Sequence, residues 1–289
     1  GAIGANALVH ETMIAPGDHV ISICPTYQQH YSIPESFGAK LDILWLRPEN
    51  DFLPDLEELG RMLRPNTKLV VLNNPNNPTG ALLMGANLEE FVAVVRTSGA
   101  YILCDEVYRG TNQVGNGFAP GMADIYEKGI SVSSMSKVFS LAGIRLGWIV
   151  APREVLEAVS IRRDYNTISV GMIDDYFASL ALENKEKIIG RSQKITRGNL
   201  KILDDWVSKE RSISYKKPQA GTTALLKYDF DIPSREFCIQ LLRETGVMFT
   251  PGSVMEMEGW LRIGYANSPE VLSQGLDLVS NFLSQMGSK

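Results

Sequence analysis

The sequence is poor in the residues that build metal clusters and disulfide frameworks. Only three of its 289 residues are cysteines, Cys24, Cys104 and Cys238. They are far apart and odd in number, and two sit in the apolar runs ISIC and YILC. They read as buried thiols in a reducing compartment, so a cytoplasmic location is expected. The three histidines, at 10, 19 and 30, form no HxxxH or HExxH spacing, and no metal site is expected. Positive charge is also scarce. Lys plus Arg number 28 against 33 Asp plus Glu, a formal net charge of −5. That balance argues against nucleic acid and against anionic membrane surfaces as partners. No apolar run approaches the ~18 residues a membrane span needs. No basic start followed by an apolar core marks a secretory leader, and no repeat or low-complexity segment stands out.

What is present is an ordinary globular composition, 44% hydrophobic and 21% charged, patterned as strands alternating with helices. Runs at 19–24, 41–46, 68–73, 100–104, 130–134 and 146–151 are short, apolar on both faces and rich in β-branched residues. This is the pattern of strands covered on both sides. Between them, residues 54–63 place Leu56, Leu59 and Leu63 on one stripe. Residues 87–99 open on Asn87 as an N-cap, with Glu90 three positions later, and close on Gly99. The alternation predicts an α/β fold, a mainly parallel sheet sandwiched by helices, with right-handed crossovers. From about residue 152 the pattern changes. A long polar helical region spans about 174–209, short strands follow at 222–229, 246–250 and 260–265, and a last helix starts at Ser268-Pro269. The expected organisation is a large domain over 1–180 and a smaller C-terminal α+β domain over 181–289.

In parallel sheets ligands bind beyond the carboxyl ends of the strands, so the segments that follow strands carry the chemistry. NNPNNPTG (73–80) is a rigid turn offering the amides of Asn76 and Asn77. In CDEVYRG (104–110), Asp105 leaves a buried strand and needs a cationic or hydrogen-bonding partner, with Tyr108 three residues on. Alone, it is equally a carboxylate capping the next turn. SSMSKVFSLAGIRLGW (133–148) sets Lys137 among Ser134 and Ser136, with Arg145 eight residues later. A lysine attacks a carbonyl only when neutral, and desolvation or nearby cations supply that state. The serines and the guanidinium suit a phosphate. By itself the same segment reads as a surface loop. GAIGAN (1–6), with Gly4, Ala5 and Asn6, opens an apolar helical pattern whose start favours an anion. Together these parts match the needs of a phosphorylated pyridine aldehyde, pyridoxal 5'-phosphate (PLP).

In order and spacing, NPNNPTG, DEVY and SSMSKVFSLAGIRLGW resemble the fold-type I PLP enzymes of the class I/II aminotransferase family, over nearly the whole chain. The resemblance implies that Lys137 carries the cofactor as an aldimine and shuttles the proton. Asp105 would pair with the ring nitrogen, and Asn77 and Tyr108 would bond the ring's phenolic oxygen. Ser134, Ser136 and Arg145 would hold the phosphate, helped by the backbone around Gly4, Ala5 and Asn6. Tyr27 would stack on the ring, and Arg262 would take the substrate α-carboxylate beside Asn77. The implied partners are a small amino acid and a 2-keto acid, in a homodimer. Family members carry a further amino-terminal segment that this sequence does not contain, and without it cofactor binding is expected to survive more readily than fast turnover. The same constellation serves β-lyases, decarboxylases and arginine-type oxidases or hydroxylases. A PLP-sensing regulatory domain is a further alternative. Gln28, Gln29, His30 and Tyr31, in the segment 25–39, are expected to help choose the side chain.

Overall fold

The strand–helix alternation folds into two sheets. The structure, a computed structural model, describes residues 1–286. In chain order come α1 (Ala2–Met13), β1 (His19–Cys24), α2 (Gln29–Ser36), β2 (Lys40–Trp45), α3 (Leu56–Met62) and β3 (Thr67–Asn73). Next are α4 (Ala86–Arg96), β4 (Tyr101–Asp105), α5 (Met122–Ile125), β5 (Gly129–Ser134) and β6 (Gly147–Val150). The six strands lie in the order β2-β1-β3-β4-β5-β6. β1 to β5 run parallel, and β6 returns antiparallel to β5.

The two-sided apolar strands are explained by two cores, one on each face. Val20, Leu69, Val71, Leu103, Ile130 and Val132 pack with Leu8 and Val9 of α1 on one side. Their neighbours Ile21, Val70, Leu72 and Ile102 pack with Leu59, Leu88, Phe91 and Val95 of α3 and α4 on the other. Side chains one position apart point to opposite faces, so both must be apolar in a sandwiched sheet.

The remainder comprises α6 (Arg153–Arg163), α7 (Met172–Glu183), α8 (Lys185–Val207), β7 (Ile213–Tyr215) and β8 (Thr223–Tyr228). After them come α9 (Ser234–Thr245), β9 (Thr250–Pro251), β10 (Trp260–Gly264) and α10 (Pro269–Met286). The second sheet, β7-β8-β10-β9, is antiparallel throughout. It packs against α8, α9 and α10 around Leu203, Phe237, Leu241, Leu261 and Phe282.

The polar helical region expected over about 174–209 consists of two helices that meet at Asn184. Other expectations need correction. Asn87 is not a cap: the chain enters α4 through Gly85, whose φ of 58° belongs to the left-handed region that glycine tolerates. The strand expected at 246–250 shrinks to Thr250–Pro251, because Gly246, at φ 76°, is the left-handed cap of α9. The three-residue strand β7 has no counterpart in the sequence reading, being too short to show a period.

Candidate active site

The carboxyl ends of β1, β3, β4 and β5 open into one cavity of about 400 Å³. It is lined by Tyr27, Asn77, Asp105, Tyr108, Ser134, Ser136, Lys137, Arg145 and Arg262, so nine of the twelve expected residues meet there. Asp105 and Ser134 close their strands, Tyr27, Asn77, Tyr108, Ser136 and Lys137 follow within a few residues of theirs, Arg145 lies in the loop between β5 and β6, and Arg262 stands on β10 of the second sheet. The cavity therefore lies where the two sheets face each other.

Asp105 is the last residue of β4 and is 7% exposed. Its Oδ1 accepts the backbone N–H of Val107 at 3.1 Å, and its Oδ2 accepts Asn6 Nδ2 at 2.8 Å. His30 Nε2 lies 3.4 Å from the same Oδ2. The buried carboxylate thus has the hydrogen-bonding partners its burial demands. Asn73, at the end of β3, secures the neighbouring turn. Its Nδ2 donates to Asp105 O at 2.8 Å, and its Oδ1 accepts Asn77 N at 2.7 Å.

Lys137 Nζ lies 5.8 Å from the centroid of the Tyr108 ring. Burial holds its amine below the ordinary lysine range. The Arg262 and Arg145 guanidiniums add to that, and the Asp105 carboxylate opposes it. This is the condition a lysine needs to present a free electron pair. Tyr108 is 3% exposed, and burial followed by the Asp105 charge pushes its phenol up to about 12. It keeps its proton at neutral pH, and the Thr222 hydroxyl hydrogen-bonds it.

At the other end, Arg145 sits at φ 48°, a left-handed conformation. Its Nη1 donates to Ser136 Oγ at 3.3 Å and to Ala142 O at 2.7 Å. The guanidinium lies against the first turn of α1: a Cβ built on Gly1 would stand 2.9 Å from Nη2. Ser134 is fully buried, and its Oγ accepts Ser136 N at 3.3 Å. A guanidinium, two hydroxyls and a helix amino terminus converge, which is a phosphate-binding set. Arg262 is held by Asn77 Oδ1 at 3.3 Å and Thr250 Oγ1 at 3.1 Å.

The amino-terminal assignments need correction. Gly4 and Ala5 line a separate groove against β6, and their N–H groups are taken by Gly1 O at 3.0 and 3.2 Å. The first-turn residues that line the cavity are Ala2 and Ile3. Asn6 faces Asp105 and not a phosphate. Of the 25–39 segment, Gln29 and His30 line the cavity beside Tyr27, and Gln28 does not. Gln28 Nε2 donates to Val254 O at 2.7 Å and Gln29 Nε2 to Ile3 O at 2.6 Å. His30 is 1% exposed and stands behind the acid. Sequence reasoning missed Asn73, Thr222 and Thr223 as lining residues. The asparagine closing β3, at the head of the proline-rich turn, was the available signal for the first.

The residues present fit PLP. A buried carboxylate, an amine with a lowered pKa and a phosphate-binding set line one cavity. Fold and site together define a PLP-dependent enzyme. The chain belongs to the family "Aminotransferase class I and II", which it matches over residues 1–277; PLP is its cofactor and its class is aminotransferase. Among similar proteins, capreomycidine synthase of Streptomyces vinaceus is 30% identical, over 92% of this chain and 68% of that protein. An aspartate aminotransferase of Thermotoga maritima is 28% identical, over 94% and 71%. The crystal structure of a PLP-dependent aminotransferase from Streptococcus suis superposes with a TM-score of 0.95 at 45% identity, covering 99% of this chain and 76% of that one.

Among the described residues no helix is long and apolar enough to cross a membrane, and no group of side chains is arranged to hold a metal ion.

Proposed function

We propose that this site moves an amino group between an amino acid and a 2-keto acid, with Lys137 as the group that binds the cofactor and carries the proton. The observation that supports this best is that Lys137, the Asp105 carboxylate and the Arg145 guanidinium line one cavity, with both charges acting on the lysine amine. When bound, PLP supplies an aldehyde that condenses with amines and a ring that withdraws electrons.

This chain's residues do the rest. Asp105, oriented by Asn6 and the Val107 N–H, would accept a hydrogen bond from the protonated ring nitrogen and so keep the proton on the ring. Tyr108 and Asn77 would bond the ring's phenolic oxygen, and Tyr27 would cover a ring face. Arg145, Ser134, Ser136 and the first turn of α1 would hold the phosphate. Arg262, pre-oriented by Asn77 and Thr250, takes the substrate α-carboxylate through its two-pronged guanidinium. With the substrate fixed there, the Lys137 amine takes the proton from the substrate Cα as a general base.

We also propose a division of the chain near residue 180, a cytoplasmic location and a homodimer. The buried, unpaired cysteines support the location. An exposed apolar face around Tyr165, Ile168, Met172, Ile173 and Tyr176 supports the dimer, which sedimentation at twice the monomer mass tests.

A second reading is another PLP reaction on an amino acid, such as β-elimination, decarboxylation or an oxidation. It is favoured by the 30% identity to a protein named a synthase. One experiment separates the two: visible absorbance of the chain with PLP, beside Lys137→Ala, during titration with a panel of amino acids. A Lys137-dependent band, converted by an amino acid with release of its keto acid, is the expected result. Ammonia release or oxygen uptake in place of keto-acid exchange would overturn the transamination reading. Loss of the Lys137 dependence would overturn the site.

A further inference from the structure

Behind the Asp105 carboxylate lies a histidine that nothing in the fold explains. His10 stands on α1, fully buried, and neither of its ring nitrogens has a hydrogen-bond partner within the protein. The other buried positions of α1 are Ala2, Ala5, Asn6, Leu8 and Val9, four of the five apolar. An imidazole buried with both nitrogens unpaired costs on the order of 1–3 kcal/mol. Burial, and then the neighbouring His30, hold its pKa down to about 3, so it acts as a neutral dipole across the working pH range.

Its ring meets that of His30 edge-on, with centroids 6.3 Å apart and planes 63° apart. His30 is buried on α2. Its Nε2 lies 3.4 Å from Asp105 Oδ2 without the geometry of a hydrogen bond, and its Nδ1 is unpartnered too. A neutral imidazole carries one hydrogen, and which nitrogen holds it is set by the surroundings of both. With the hydrogen on Nε2, His30 turns an N–H dipole toward Asp105. With it on Nδ1, a lone pair faces the carboxylate and pushes it away.

We propose that His10 is a positioning residue for Asp105, acting through His30: its edge dipole holds the His30 hydrogen on Nε2, toward the carboxylate that receives the ring nitrogen. Asn6, one helical turn before His10, holds the same Oδ2 from the other side, so α1 braces the acid twice. The proposal rests on the reading of Asp105 given above, but its first readout does not need the cofactor.

The test compares wild type, His10→Phe, which keeps the ring shape and removes the dipole, and His10→Gln, which restores a donor. The chain has only three histidines, so ¹⁵N-labelled imidazole spectra of the cofactor-free protein resolve each ring. The expected result is a single Nε2–H tautomer for His30 in wild type, a mixture in His10→Phe, and recovery in His10→Gln. The PLP dissociation constant, measured on the same proteins, is expected to rise roughly tenfold in His10→Phe, about the worth of one hydrogen bond to a charged group. An unchanged His30 tautomer in a folded His10→Phe protein overturns the proposal. So does a shifted tautomer with unchanged PLP affinity, because His10 would then set the ring without consequence for the acid. If His10→Phe fails to fold, His10→Gln alone decides: its His30 must keep the wild-type tautomer. Absence of Lys137-dependent PLP binding in wild type overturns the functional reading and leaves the tautomer result standing by itself.

Discussion

Replacing Gly80 by alanine should damage this protein far more than one added methyl group suggests. Gly80 ends the NNPNNPTG turn at φ 72°, where a side chain costs about 1–2 kcal/mol. Its Cβ would fall 2.5 Å from Pro218 Cβ and 3.0 Å from both Pro218 Cα and Ala220 O. These are not flexible side-chain ends that can swing aside, so the 218–220 segment must move. That movement breaks two bonds to Gly80 O, from Gln219 N at 2.8 Å and Ala220 N at 3.0 Å. At a net of about 1 kcal/mol each, the total loss is roughly 3–4 kcal/mol. Gly246 supplies the control: it is left-handed at φ 76°, but nothing lies within 4 Å of its Cβ position. Gly246→Ala should therefore cost only the conformational part, about 1–2 kcal/mol. Urea unfolding of the two variants beside wild type measures the difference. A Gly80→Ala loss no larger than that of Gly246→Ala would refute the reasoning. Gly80→Ala should also weaken PLP binding, because the displaced segment leads directly to Thr222 and Thr223 on the cavity wall.

Two further outcomes follow from charges in the cavity. The folded pKa of Lys137 is depressed below the lysine value of 10.5, so between the folded and unfolded values the unfolded chain binds more protons and stability rises with pH. The cofactor-free Lys137→Met variant should then be more stable than wild type at neutral pH, with the gap closing as pH approaches 10.5; thermal unfolding across pH checks this, and a gap that widens with pH contradicts it. Arg262→Lys keeps the charge and loses the fork that Asn77 and Thr250 orient, so the KM for amino acids should rise about tenfold or more while PLP affinity changes little, measured by steady-state kinetics and cofactor titration.

Much of this was legible in the sequence because two physical signals are local. Strands covered on both faces must be continuously apolar, which located β1 to β6 to within a residue at either end. Chemistry at a strand's carboxyl end must follow that strand in sequence, which brought Asn77, Asp105, Tyr108 and Lys137 to attention together. What escaped depends on rotation and distance. Whether Gly4 or Ile3 faces the cavity is a matter of one residue around the first turn of α1, and glycine pattern alone does not fix that phase. His30 was expected to help choose the side chain. Its burial against Asp105 is a contact 75 positions away in the chain, which local pattern does not show. β7 and β9 are too short to carry a period, and each exists because a longer neighbour pairs with it.

The attachment of residues 219–221 has a kinematic meaning as well. Gly80, Gln113 and Thr111 grip the segment at Gln219, Ala220 and Gly221, and the fully buried Tyr265 ties Gly221 O from the C-terminal side. β8 begins two residues later and pairs with β10, with Thr223 opposite Gly264 and Leu225 opposite Arg262. The segment thus fastens the start of β8 to the turn that carries Asn77, and through the pairing of β8 with β10 it fastens the strand that carries Arg262 as well. The two walls of the cavity share this anchorage, so a displacement at Gly80 reaches Arg262 through main-chain bonds alone.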